Sequence, residues 1–564
     1  MKKSIMLSMM IALSFHIIAS DFKNEQKIFS SSDSTYEQIE ILYIAAGLAI
    51  PSSSGPWSSN ELRAMINSID VSKLSFSMKK IYKSVCSQLY EKPDIVSEES
   101  FGFSYGIILT PEFYTHTNST DFDTESDWYY GFEERADFAT IPLEIWSANN
   151  LYFRSDFSFG IDFFNDEFYD FLPQEVVTTN IFPEVPAGAA NSPYRASVSA
   201  GDNHWNIVMG RDVVRWGIGE SGNLMVGGNM KYENYVRFST FYNRFKFTTL
   251  GVFYPHPEEI LDDNDSYNGL KVHLCHRIEF SAFNNKLSVA LTETIMYQSS
   301  NNTFDVRIYS PVNIYHDYFA RTSANSLFGI DLNYALSKNW ALYNQIVIDE
   351  YHIPGEANPL EGDAGSHPDA YGLLLGAKNI IPFRNGFFKI VFEGVFASPY
   401  LYLREAYDDD TDEYGVSFYG DYRTYGTSIE YTSYCTGYQY GGDCITGTLK
   451  TTYEVTDDWS AEVELFYMAH GIIDSAEDYG DGTLDGGEVI PLFLATTSPL
   501  NSSNPDKTGE IEHTFRFSVS GSYNLLANVK TYARSDLYMI VNKDNKSCDP
   551  INDFQFTCGI KCNI

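Results

Sequence analysis

Cysteine is scarce in this 564-residue chain. There are seven, none in a C-x-x-C pair, so the spacing that structural zinc needs is missing. Cys435 and Cys444 bracket "TGYQYGGD" and can close a small loop disulfide in an oxidising compartment. The other five read as small apolar residues. Positive charge is short too. Against 75 acidic side chains stand 38 basic ones, and the formal charge of −37 repels phosphates and excludes nucleic acid as a partner. Beyond the first twenty residues, long apolar runs are missing. The best, residues 41–50, falls short of the roughly 18 that a membrane-spanning helix requires.

Catalytic signatures are missing as well. There is no H-E-x-x-H and no P-loop. The one Gly-x-Ser-x-Gly match, from Gly102 to Gly106, runs on into "IILTPEFYT" with no helix behind it, so it lacks the turn of a nucleophile elbow. His256, His276, His352 and His367 are scattered, and in so acidic a chain carboxylate pairs arise by chance. The expectation is a protein that is not an enzyme and uses no cofactor.

What is present falls into three parts. Lys2 and Lys3, an apolar stretch from Ile5 to Ala19 and small residues at Ala19 and Ser20 read as an export signal over residues 1–20. Residues 21–100 form a helical segment with helical periodicity from Thr35 to about Glu91, with Ser58 or Ser59 as an N-cap and Met78, Ile81, Tyr82, Val85 and Leu89 along one face. Three short helices make a small core that leans on something larger. From Phe101 to Ile564 the period is two. "AEVELFY" sets Ala461, Val463, Leu465 and Tyr467 against Glu462 and Glu464, and "HTFRFSVSGSY" sets Phe515, Phe517 and Val519 against Arg516, Ser518 and Ser520.

Alternation alone suits a soluble sandwich equally well, and loop rhythm separates the two. Tight turn signals recur at Asn149-Asn150, Asn243-Arg244, Asn284-Asn285, Lys338-Asn339, Asn385-Gly386, Asp457-Asp458 and near Asn524. Between them lie long polar connections, such as 165–193 and 471–508. Short turns at one end and long loops at the other describe an all-β transmembrane barrel of about 18 antiparallel strands in outer-membrane lipid, with both termini and the helical segment on the periplasmic side. A barrel of that width has a lumen, open or filled.

The acidic runs 408–413 and 474–488 are the places where divalent cations can gather on clustered carboxylates. Neither matches an EF-hand, since Glu413 stands where the loop glycine belongs. Solvated surface loops are the simpler expectation.

One stretch departs from the rest: "MGRDVVRWGIGESGNLMVGGN", Met209 to Asn229. On a continuing strand Arg211 and Arg215 project together, offering planar donor forks for carboxylate, phosphate or sugar oxygens. Trp216 adds an aromatic plate. The alternative is that the arginines pair with lumen acids such as Glu462 and Glu464 and fix a loop. The run Gly210-Arg211, Arg215-Trp216-Gly217-x-Gly219 and Gly222-Asn223-Leu224 resembles the signature of the Wzi family of capsule-assembly barrels, with Ile218 where that family usually has proline. The resemblance implies a signal peptide, a small helical bundle, an eighteen-stranded barrel and a role in holding capsular polysaccharide at the surface. It makes Arg211, Arg215, Trp216, Gly217, Gly219 and Asn223 the candidate ligand contacts. A diffusion channel is the alternative that the wide barrel allows, and a surface adhesin is a third.

Overall fold

The computed structural model describes residues 24–97, 101–122, 135–159, 177–180, 195–230, 232–255, 270–299, 324–351, 369–403, 416–425, 429–471 and 510–564, with Tyr129, Ile308 and Tyr315. The export signal, the acidic runs 408–413 and 474–488, and His256, His352 and His367 lie outside the described residues.

Eighteen antiparallel strands close into a barrel. The first is broken into Phe101–Tyr105, Ile108–Leu109 and Glu112–His116. The last, Ile551–Asn563, pairs back onto it, with Cys562 opposite Leu109 and Gln555 opposite His116. No long sheet edge is left between first and last strand, as a membrane demands. The expected turns are where the strands reverse, in connections of two to four residues. Asn284, Asn339, Arg384 and Asp457 take the positive φ such reversals need. An eighth turn, at Asn203-His204, carries too weak a signal to be read from the sequence.

Period-two alternation is realised side by side. On Glu512–Leu526, Phe515 and Phe517 are 40% exposed on the outside, while Thr514 and Ser518 are buried inside. On Trp459–His470, Leu465 faces out and Glu464 in. Exposed Phe, Leu, Ile and Trp side chains recur on the outer face of nearly every strand. A belt of this kind is stable only against lipid. The fold is that of an outer-membrane barrel.

The three helices stand at the end with the short turns: α1 (Ser34–Ala46), α2 (Ser59–Ile66) and α3 (Phe76–Leu89). Helix α1 is largely apolar and is buried without a break from Ile39 to Ala45, and Gly47 ends it in the left-handed conformation at φ 74°. The N-cap of α2 is Ser58, in a reciprocal box with Glu61. Helix α3 buries Met78, Ile81, Val85 and Leu89, while Tyr82 stays half-exposed. The bundle does lean on something larger. Its apolar residues form one continuous core with Trp216, Leu224, Tyr343 and Leu374 inside the barrel, so it is a stopper rather than a separate appendage.

Between α1 and α2 the chain threads inward. Ile50 N–H donates to Asn333 Oδ1 at 3.2 Å and Ser53 N–H to Glu279 Oε1 at 2.7 Å. Lys246 Nζ reaches the Ser54 carbonyl at 3.0 Å and Arg277 reaches Ser53 Oγ at 2.8 Å. The serines satisfy charged side chains on the wall that burial would otherwise leave bare.

Candidate functional site

Strand Trp205–Asp212 ends at Asp212 and strand Glu233–Tyr242 begins at Glu233. The connection between them starts at the long-loop end but turns down into the lumen. There it meets the serine thread coming from the other end. Gly217 N–H donates to the Ser53 carbonyl at 2.8 Å, and Trp216 Nε1 donates to the Gly55 carbonyl at 2.9 Å. Trp216 is completely buried. The two segments interlock inside the barrel.

The signature residues make that interlock. Gly217 sits at φ 122°, and a Cβ there would fall 2.0 Å from Asn223 Oδ1 and 2.1 Å from Gln345 Nε2. A Cβ on Gly219 would fall 1.9 Å from the Gly222 carbonyl oxygen. Asn223, fully buried, accepts from Gly219 N–H at 3.0 Å and Gln345 Nε2 at 3.1 Å, and Leu224 N–H donates to Gln345 Oε1 at 2.9 Å. Arg215 closes the turn by donating to the Gly219 carbonyl. The glycines are there because the chain packs against itself, with no room for side chains.

Charge ties the plug to wall and helices. Glu220 lies 3.0 Å from Lys389, 3.3 Å from Lys378 and 3.5 Å from Lys450, all on the wall. Lys389 also binds Glu37 at 2.6 Å and Lys378 binds Glu40 at 2.7 Å, both on α1. Burial opposes the charge on Glu220, but the three lysines outweigh it and hold the carboxyl well below its usual range. Glu393 completes the anchor. It accepts from the backbone N–H of Glu220 and Ser221 at 2.8 and 2.7 Å and from Tyr343 Oη at 2.6 Å. On α2, burial likewise raises the Glu61 carboxyl, yet Arg237 and Lys246 pull it down to about 2.

Three expectations need correcting. Arg211 and Arg215 do not share a strand face, because the strand stops at Asp212. Arg211 shares the parity of outward Ile207 and Met209 and lies 5.6 Å from the Tyr232 ring, while Arg215 belongs to the lumen segment. Neither is paired with Glu462 or Glu464, which bind Lys450 and Arg516. Cys435 and Cys444 are separate buried thiols. Sequence reasoning also missed the partners that make the site, namely Ser52 to Gly55, Gln345, Glu393, Tyr402, whose hydroxyl donates to the Leu224 carbonyl at 2.8 Å, and Tyr438, whose hydroxyl lies 3.2 Å from Ser221 Oγ. "PSSSGPW" carries no motif that marks a lumen contact, and a single Glu or Gln on an alternating strand carries no mark of what it faces.

Chemically, the arrangement anchors and excludes. Among the described residues, no three His, Cys, Asp or Glu side chains are gathered as a metal site.

The molecule is thus an eighteen-stranded outer-membrane barrel whose lumen holds a plug fixed from both ends. Along almost its whole length it is similar to Wzi of Escherichia coli, an outer-membrane protein involved in group 1 capsule assembly and a carbohydrate-binding β-barrel. The TM-score is 0.55 at 12% identity, covering 95% of this chain and 98% of that one. At such identity the likeness is one of fold. More distant are the channel DcaP of Acinetobacter baumannii (TM-score 0.35, 9% identity, 84% of this chain and 100% of that one) and OprD of Pseudomonas aeruginosa (0.40, 8%, 82% and 94%). No family model and no curated protein matches the sequence.

Proposed function

We propose that this barrel retains polysaccharide at the cell surface and is neither a channel nor an enzyme. One observation carries the choice: residues 213–230 lie inside the lumen, locked to the serine thread and to Glu393, where a diffusion channel needs open water. The polysaccharide itself is argued from the fold shared with a carbohydrate-binding barrel and from the signature at 210–224. Trp216, Gly217, Gly219 and Asn223 serve that role by holding the plug, since all four are buried. Arg211 and Arg215, half-exposed, are the signature residues left to touch glycan.

The test compares the surface glycan of cells with and without the gene. Glycan that is still made but is shed into the medium supports the proposal, and an unchanged surface layer sinks it. Replacing Arg211 and Arg215 together by Ala is expected to weaken retention without loss of the folded barrel. A large steady conductance of the purified protein in a planar bilayer would favour the channel instead.

A further inference from the structure

The lumen is filled unevenly. The apolar core joining helices, plug and wall contains, among the described residues, none beyond Cys444. The strands Trp459–His470, Glu512–Leu526 and Val529–Val541 turn polar side chains inward instead. Ser460, Glu462, Ser520, Ser522, Tyr532 and Arg534 are only half-buried. This flank stands apart from the packed plug.

At its outer end the flank carries an arginine–aromatic cluster that borders the plug core at Tyr440. The Tyr129 ring, from the connection after Glu112–His116, lies 3.7 Å from the Arg534 guanidinium and 4.5 Å from that of Arg516. Arg516 also stands 4.8 Å from the Phe466 ring, which is 5.5 Å from the Tyr440 ring. Tyr129 is held in place by its N–H, which donates to Gln555 Oε1 at 2.7 Å. Each arginine has its own acid on the wall, Glu464 for Arg516 at 2.5 Å and Asp536 for Arg534 at 2.9 Å.

We propose that this cluster is a binding subsite for a neutral hexopyranose segment of the surface polysaccharide, an inference that rests on the function proposed above. Aromatic faces offer a surface for the C–H face of a sugar ring. Guanidinium and carboxylate edges offer paired donors and acceptors at the spacing of vicinal hydroxyls. Because each arginine is neutralised, the cluster carries hydrogen-bonding capacity with almost no net charge. A polyanion would meet Glu464 and Asp536 here and a chain of charge −37 around them, whereas a neutral ring meets neither penalty. Tyr129 is half-buried and belongs to an outer connection, which is the side from which a surface glycan arrives.

The test uses the full-length barrel in detergent micelles and, as probe, polysaccharide extracted from the surface of the parent strain. Heat-modifiable gel migration confirms that each variant is folded. Tyr129→Ala and Arg534→Gln are expected to lower affinity at least tenfold, and Tyr129→Phe to stay within twofold. Affinity in 0.5 M salt is expected to match that at low salt. If wild type binds and both disruptive variants bind equally well, the subsite is wrong while the function stands. If wild type does not bind at all, the function reading falls and takes the subsite with it. Binding lost in high salt overturns the neutral ligand. Should the Tyr129 and Arg534 variants fail to fold, wild type still decides: bound glycan must shield Tyr129 from nitration, and unaltered nitration refutes the subsite.

Discussion

One sheet is used in two ways around its circumference. From Trp205 to Ala397 the wall turns its inward side chains onto a plug. Arg237, Arg277, Thr294 and Gln345 are almost wholly buried there, and each buried charge meets a partner from the helices, the serine thread or the wall itself. From Trp459 to Asn563 the inward side chains face one another more than any plug. Ser460 pairs with Ser522 at 2.8 Å and Arg534 donates to Ser518 Oγ at 2.9 Å, and many stay partly wet. Strand length, turns and alternation are alike on both sides. The difference lies in what the strands face, so the same kind of residue carries unequal weight on the two flanks.

Substitutions sharpen the contrast. Trp216→Ala, at the centre of the interlock, is expected to cost about 3–5 kcal/mol in a urea unfolding series, since it empties a fully buried aromatic site. A loss under 1 kcal/mol would mean that the plug is not part of the cooperative core. Glu61 comes next and depends on pH. Its folded pKa near 2 lies below the unfolded value of about 4.3, so its contribution is complete above that value and disappears as pH falls towards 2. The difference is about 3 kcal/mol. Glu61→Gln is expected to be less stable than wild type at pH 7 and to flatten the acid limb between pH 4 and 2. An unchanged acid limb breaks the link between helix and wall.

Glu220→Gln leaves three wall lysines with less compensation and is expected to cost about 1–3 kcal/mol. Its signature is faster amide exchange confined to 213–230, and exchange that rises equally on both flanks would contradict a local anchor. Ser522→Ala, on the wetter flank, is expected to shift stability by no more than about 0.5 kcal/mol. A much larger loss there would erase the distinction between the flanks.

Much of the barrel was legible in advance because membrane strands obey a simple rule. A side chain facing lipid must be apolar and its neighbour is free to be polar, which writes inside and outside into every second residue, as at Phe515, Arg516 and Phe517. Reversals need positive φ and attract Asn and Asp, hence Asn339 and Asp457. Helix caps are equally local: the start of α2 was legible to within one residue, Ser58 or Ser59, and the reciprocal bond with Glu61 selects Ser58. The signature at 210–224 was legible as unusual, yet its meaning was misjudged at Arg211 and Arg215. The strand end that separates them is held by Arg195 and by Ser30, the latter 182 residues up the chain.

By itself the sequence determined the barrel, its number of crossings, seven of its turns and the presence of a helical segment, since each rests on interactions between near neighbours or on the contrast of lipid and water. Only the tertiary structure decided that the Arg-Trp-Gly segment dives into the lumen, that serines 52–54 answer Glu279 and Arg277, and that one flank stays apart from the core. Those outcomes depend on buried polar groups finding partners across the barrel. A lone Glu, Gln or Ser does not disclose its partner until the chain has closed around it.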